Sequence, residues 1–267
     1  VIVRTTHELD ENYHLLKAGD IVAGQMMSAH LKAAQLVDLL QRGVVVVPSS
    51  LAQLLSRSKV AQAELLNPLM HPLTRAIRRR KDLLEAVHLY GGENIGAVIS
   101  KQDHLHCGHG VRRWDHIETL YSFCGLDRNA YPFVLQPFVE KFEDVRVIMV
   151  GEYEEAYIRR NQYGFRSNLS MGGTHHPYSL SPAQRSFCRH VMERTLFPYA
   201  HLDLQIMIGD DTCCYLFEIT LNGGIRGSRL QRSELDALKA RRLDELVKEA
   251  GNINQPSRRN LNRDRIP

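Results

Sequence analysis

The stretch "GFRSNLSMGG", residues 164–173, sets Arg166, Ser167 and Asn168 a few residues before the pair Gly172–Gly173, directly after the run "YIRRN" (157–161). A strand core has no need of so many arginines beside an asparagine. A plain solvent loop does not usually separate two strongly patterned segments, and both flanks are strongly patterned. Upstream, "DVRVIMVG" (144–151) and "EEAYIRRN" (154–161) read as two strands in a hairpin around Gly151–Tyr153. Downstream, "SPAQRSFCRHVMERTLF" (181–197) reads as a helix with Ser181 as its cap and Pro182 at its first position. Strands "HLDLQIMIG" (201–209) and "CCYLFEITL" (213–221) follow, then "NGGIRG" and a helix over roughly 231–249.

Further out, the N-terminal part alternates strand and helix. "GDIVAGQ" (19–25) is a strand and turn, and "SAHLKAAQLVDLLQRG" (28–43) an amphipathic helix stopped by Gly43. "VVVVP" (44–48) is a buried strand, and "SSLAQLLSRSKVAQAELL" (49–66) a second helix opened by capping serines. The middle reads as helix 78–92, strand "GAVISK" (96–101), the polar loop "QDHLHCGHG" (102–110), helix "WDHIETLYSF" (114–123) and strand "PFVLQPFVE" (132–140). Pro137 bars that last strand from a central ladder position and leaves its backbone for another use. The class is α/β.

The 267 residues, 43% apolar and 24% charged, suit one large domain or two lobes of an ordinary globular protein. A net charge of +4 fits an anionic small ligand as well as nucleic acid. No apolar run is long enough for a membrane span, and the start lacks the order of a signal peptide. Five cysteines, Cys107, Cys124, Cys188, Cys213 and Cys214, without paired spacing, favour a reducing, cytoplasmic setting.

Asp203 and Glu218 sit in otherwise apolar neighbouring strands, so a positive partner is expected for each. Two hard carboxylates from adjacent strands suit Mg²⁺ held together with nucleotide phosphates; a solvent-facing alternation is the plain alternative. Lys101 ends a strand before a glycine-containing loop, which suits a phosphate contact or simple solvation. "HLHCGHG" (104–110) offers His104, His106, Cys107 and His109, spaced too tightly to wrap one tetrahedral zinc, and reads better as a lid over phosphates. "RAIRRRK" (75–81) lacks aromatic interleaving and reads as a solvated face, not as a nucleic-acid patch.

In this order, a strand ending in lysine, a glycine loop, "LQPF", "DVRV", "FRSNL" before "GG", "LDL" and "FEI" before "GGIRG" resemble the ATP-grasp superfamily. The resemblance is strongest to the ribosomal-protein glutamate ligases of the RimK type and to prokaryotic glutathione synthetase, and runs from about Ser56 to about Leu230. It implies a short N-terminal lobe (1–69), a lid (70–139), a metal-bearing lobe (140–250) and a polar tail (251–267), with ATP between two sheets. It implies an ATP-dependent carboxylate–amine ligase that forms an amide through an acyl phosphate, with ATP and Mg²⁺ or Mn²⁺ as cofactors. The substrates would be a carboxylate of an amino acid, peptide or protein C-terminus and an amine acceptor, with no membrane or nucleic-acid partner; self-association is common in such ligases.

By the same resemblance Lys59 and Lys101 contact phosphates. Gln136, Pro137, Phe138 and Val139 form the hinge that presents backbone groups to adenine, and Asp144, Ser167 and Asn168 belong to the nucleotide site. Arg146, Arg160 and Arg166 face phosphate or acyl phosphate, since arginine's fork of donors matches phosphate oxygens. Asp203 and Glu218 hold metal. The family's metal-binding asparagine, two residues after the glutamate, is here Thr220, with Asn222 the nearest replacement. That departure opens a second reading, an ATP-binding module of the same fold without ligase turnover.

Overall fold

The computed structural model describes residues 1–25, 32–105, 109–127, 129–162, 164–166, 169, 172–210 and 213–253. They form two compact units, Val1–Ser50 with the residues from Asp236 on, and Leu51–Leu235. These contact-based units cut the chain elsewhere than the boundaries expected at 69, 139 and 250.

In the first unit β1 (Ile2–Val3), β2 (Ile21–Ala23) and β3 (Val45–Val47) make a parallel sheet in the order β1-β2-β3. Between them run α1 (Thr6–Asn12) and α2 (Lys32–Gln41). Thr5 and Glu8 close a capping box on α1, and Leu36 and Leu39 are the fully buried side of α2.

The second unit opens with two helices where one was expected. α3 (Ser50–Leu55) stops and α4 (Lys59–Leu65) restarts, because Ser58 is extended and its hydroxyl accepts from the Ala61 N–H. A serine able to cap competes well with one buried in a helix interior. The same hydroxyl donates to Asp103, 2.9 Å away, and so ties the start of α4 to the polar loop.

β4 (Arg75–Ile77), β5 (Val98–Gln102), β6 (Val111–Trp114) and β7 (Phe133–Pro137) form an antiparallel sheet in the order β4-β7-β5-β6. α5 (Arg80–Gly92) and α6 (Ile117–Leu126) cover it through Leu83, Ala86, Tyr90, Ile117 and Leu120, packed on Val98, Phe133 and Leu135. Two of these strands correct the sequence reading: "RAI" belongs to β4, and Trp114 ends β6 instead of opening a helix. β7 is also central, although it carries Pro137. The proline is tolerated because the β4 ladder ends at Arg75 opposite Leu135, while the Phe138 N–H bonds the Ala97 carbonyl at 2.9 Å on the β5 side. The Pro137 nitrogen therefore points where no strand remains to receive a hydrogen bond.

The larger sheet has the order β10-β9-β8-β11-β12, antiparallel throughout. Its strands are β8 (Phe142–Val150), β9 (Tyr153–Arg160), β10 (Thr174–Tyr178), β11 (Tyr199–Met207) and β12 (Cys214–Thr220). β10, at the exposed edge, is mostly polar and left no apolar alternation to read. α7 (Pro182–Thr195) starts in a Ser181–Gln184 capping box, as its sequence predicts, and α8 (Arg232–Ile253) ends the described chain. Along β11, Leu202 and Leu204 alternate with His201, Asp203 and Gln205, and all five are buried. The polar face of this strand is thus withdrawn from bulk solvent. No helix among the described residues is long and apolar enough to cross a membrane.

Gln62 locks α4 to the larger sheet. Its amide donates to the carbonyls of Leu55 and Ile219 at 2.7 and 2.8 Å and accepts from the Ile219 N–H at 3.0 Å, with the side chain 1% exposed. Gln62→Leu keeps the volume but leaves these backbone groups unpaired in the core, so urea denaturation should show a loss of about 2–4 kcal/mol.

Candidate functional site

A cavity of about 350 Å³ lies within the second unit, lined from one sheet by Ile99, Val111 and Gln136 and from the other by Asp144, Arg146, Arg159, Asp203 and Glu218. Strand register assembles the charged floor. Arg159 on β9 faces Asp144 on β8; Arg146 on β8 faces Asp203 on β11; Asp203 faces Glu218 on β12. Cross-strand neighbours of opposite charge stabilise each other, and here they are also out of water.

Arg146 grips both oxygens of Asp203 through Nε and Nη2, and its Nη1 donates to the Gly224 carbonyl at 2.8 Å. Arg159 bonds Asp144 and lies 3.1 Å from Asp203. Burial works to raise the Asp203 carboxyl, but the two guanidiniums outweigh it and hold the group well below the usual carboxylate range. Asp144 moves the other way: burial pushes it up, and the Asp203 charge adds to this against the pull of Arg159. Burial disfavours the charged Arg159 as well, but Asp144 and Asp203 more than reverse this and strengthen its hold on the proton.

Arg160, expected in the site, is not there. It points to the other side of β9, where it is exposed and meets Glu143 at 2.5 Å. Side chains alternate along a strand, and the hydrogen-bonded partner of Asp144 decides which arginine faces in. The buried one is Arg159, 7% exposed.

A β-bulge interrupts the register between Asp203 and Leu204. It sets Phe217 as an extra residue on β12, so that Phe217 and Glu218 both line the cavity despite being neighbours in the chain. Lys59, at the start of α4, reaches Glu218 at 3.1 Å and the Leu105 carbonyl at 2.6 Å. Lys101 lies with its Nζ 2.9 Å from the centre of the Phe217 ring and 3.4 Å from the Phe217 carbonyl. It is 3% exposed, and burial, against the pull of Glu218, brings its pKa down to about 7.

At the other end, Gln136, Pro137, Phe138 and Val139 all line the cavity. Gln136 donates to Thr74 at 2.9 Å, while its Oε1 is buried without a hydrogen-bond partner among the described residues. A buried orphan acceptor in a cavity wall suits a donor from a ligand. Phe138 packs edge to face with Phe165, and the Arg113 guanidinium lies over the Phe138 ring, 4.7 Å from its centre. Arg166 donates to the Val111 carbonyl and so crosses from the glycine-rich loop to β6. Ser167 and Asn168 lie outside the described residues, as do His106 and Cys107 of the histidine loop. His104 instead bonds the Arg57 carbonyl at 3.0 Å and Asp103 at 3.2 Å.

Among the described residues no three His, Cys, Asp or Glu side chains are grouped as a metal cluster. The cavity still offers a donor set of the right kind for a hard divalent cation. Asp203 and Glu218 are facing partners, Thr220 faces His201 two pairs along, and Asn222 follows. Two carboxylates, a hydroxyl and an amide carbonyl are all oxygen ligands.

The model of the RimK-like ATP-grasp domain matches residues 53–238, and the chain belongs to that family. A relative from Trichodesmium erythraeum (strain IMS101), a probable alpha-L-glutamate ligase, is 27% identical over 202 residues. The match takes in 69% of this chain and 62% of that relative, so the chain spans about three fifths of its length. Among solved structures, D-cycloserine synthetase superposes with a TM-score of 0.60 at 14% identity, over 86% of this chain and 84% of that one. A RiPP-associated ATP-grasp ligase of Chryseobacterium gregarium, in complex with ADP and a leader and core peptide, gives 0.57 at 15% identity, over 81% and 68%. At such identities the likeness establishes the fold, and the expected ATP-grasp architecture stands.

Lys101 has a lower pKa in the folded chain than in the unfolded one, so the folded state is penalised at low pH, where the lysine must be charged. The penalty fades as pH rises from about 7 toward the ordinary lysine range. Lys101→Met removes this dependence. In urea melts the variant should be more stable than the wild type at pH 6.5, and its advantage should shrink steadily by pH 9.

Proposed function

We propose that this chain is an ATP- and Mg²⁺-dependent carboxylate–amine ligase. The observation that carries the reading is the surplus of cations around a cavity between two sheets. Half-buried Arg166 and exposed Arg226 line it in addition to the cations that sit on Asp144, Asp203 and Glu218, and buried Lys101 packs on the lining residue Phe217.

In this reading adenine lies against Phe138 and takes its hydrogen bonds from the backbone of Pro137 and Val139 and from Gln136 Oε1. Lys59, Lys101 and Arg166 hold the phosphates, and Asp203 and Glu218, with Asn222 or Thr220, hold Mg²⁺. The cation shields the phosphate oxygens when bound. The chain's own task is to position and neutralise, which is most of what phosphoryl transfer asks of a protein. A carboxylate oxygen of the acyl substrate displaces ADP from the γ-phosphorus to give an acyl phosphate. The amine then attacks the acyl carbon, inorganic phosphate leaves with the bonding pair, and the amine proton passes to solvent. Walls of apolar residues such as Ile99 and Leu169 keep water from the acyl phosphate.

The experiment is a thermal melt with millimolar ATP and Mg²⁺, followed by ADP release with amino acids and short peptides as substrates. At a hundredfold excess over Kd the gain should be about 2.7 kcal/mol. Arg166→Ala should weaken ATP about tenfold, while Arg160→Ala, on the outer face of the sheet, should leave it unchanged. No ATP-dependent shift in the wild type would sink the proposal.

A module without turnover is the second reading, favoured by Thr220 and by the hold of two arginines on Asp203. If Asn222 supplies the missing amide oxygen, Asn222→Ala should abolish the part of the ATP-induced melting shift that depends on Mg²⁺, and Thr220→Asn should do little. If neither residue serves, Thr220→Asn alone should make the shift more dependent on Mg²⁺.

A further inference from the structure

Phe133 and Leu135 of β7 pack into the core under α5 and α6. Side chains leave a strand on alternate faces, so Gln136 turns the other way, into the cavity wall beside its β5 partner Ile99. It is 2% exposed. Its Nε2 donates to Thr74 Oγ1 at 2.9 Å, and its Oε1 has no partner among the described residues. A primary amide turned end for end keeps its shape and exchanges donor for acceptor, so a neighbour has to decide which end faces the cavity.

That neighbour is Thr74. It lies just before β4, one step beyond the Arg75–Leu135 pair and so opposite Gln136, and it is fully buried. A hydroxyl has a single proton to donate. Here the proton goes to the His71 carbonyl, 2.6 Å away, so Thr74 Oγ1 meets Gln136 only as an acceptor. A reversed amide would set Oε1 against the Thr74 oxygen with no proton between them. The turn that carries Thr74 is fixed from several sides. The Thr74 N–H bonds the same His71 carbonyl at 3.1 Å, and Asn67 Nδ2 donates to the Thr74 carbonyl at 2.8 Å. The buried Tyr90 of α5 donates through its hydroxyl to the Leu73 carbonyl at 2.7 Å. Leu73 has φ +66°, a conformation that costs a leucine energy and persists only where its surroundings impose it.

We infer that Thr74 is a positioning residue that sets which purine the cavity accepts. By holding the Gln136 amide with its oxygen inward, it favours a base with a hydrogen-bond donor at C6 and excludes one with a carbonyl there. The inference rests on the ligase reading above and deepens it. A 6-amino group offers an N–H to Oε1. A 6-oxo group would press a second acceptor against it out of water, where unpaired polar groups are most costly. Selection by a buried hydrogen-bonding group is far sharper than selection by the fit of an apolar wall. Thr74 acts here at second hand, because Gln136 alone lines the cavity.

The test compares the calorimetric affinities of the full chain for ADP and for inosine diphosphate, its 6-oxo counterpart, with Mg²⁺ present. Ribose, phosphates and metal are common to both, so the ratio of affinities reports on the base alone. The wild type should prefer ADP. Thr74→Val frees the amide to turn over, and the ratio should fall about tenfold as ADP weakens and the inosine nucleotide gains. Thr74→Ala makes the same test should the valine variant fail to fold. Thr74→Ser keeps the hydroxyl and should keep the wild-type ratio. Gln136→Leu should lower the ratio by itself, and adding Thr74→Val to it should change the ratio no further. Loss of stability alone would weaken both nucleotides together and leave the ratio intact. The inference is overturned if the wild type binds both nucleotides alike, if removing the hydroxyl leaves the ratio unchanged, or if Thr74→Ser lowers it as Thr74→Val does. If the wild type binds neither nucleotide, the ligase reading falls with the inference; if it binds both alike, the inference falls and that reading stands.

Discussion

The pairing of Asp203 with Arg146 and Arg159 is the interaction on which the second unit depends. A carboxylate 8% exposed within a five-stranded sheet would be prohibitive alone, and two guanidiniums, one from the adjacent β8 and one from β9 beyond it, make it tolerable. Each arginine has a further obligation: Arg159 also serves Asp144, and Arg146 also holds the Gly224 carbonyl. One ion pair therefore sets the register of β9, β8 and β11 and the path of the segment after β12. A slip of one residue in any of these strands would turn the whole row to the opposite face.

A second constraint comes from the bulge in β12. In a regular strand Phe217 would face away from Glu218. The extra residue brings both into the cavity, so that an aromatic ring lies beneath Lys101 while the carboxylate meets Lys59. The two lysines come from different elements, one from a helix and one from the smaller sheet. Gln62 secures the helix by bonding both backbone groups of Ile219, the residue beside Glu218. The floor and the lysine that crosses it are thus fixed by the same short piece of β12.

Much of this was legible in the sequence, and the failures are instructive. Asp203 and Glu218 announce themselves because charges in apolar strands need partners, and the partners are present. The glycine-rich stretch stands out because its flanks are patterned and it is not, and Phe165, Arg166 and Leu169 line the cavity. Arg159 and Arg160 could not be told apart, because strand parity is decided by pairing with Asp144 on another strand. The break between α3 and α4 was hidden because Ser58 gains a cap and an Asp103 contact that only the fold supplies. Strands β4, β6 and β10 are too short or too polar to show a period of two. That residues from Asp236 on group with the first fifty is a fact of long-range packing, with no local signature at all.

The unequal count of charges around the cavity has a consequence for how the protein behaves when handled. Like charges that line a cavity repel one another, and an anion that enters relieves that repulsion whatever its identity. Phosphate or sulfate in a buffer will therefore compete with any natural ligand, and a preparation made in phosphate will look sturdier than one made in chloride. Melting points of this chain are therefore best compared between buffers of the same anion.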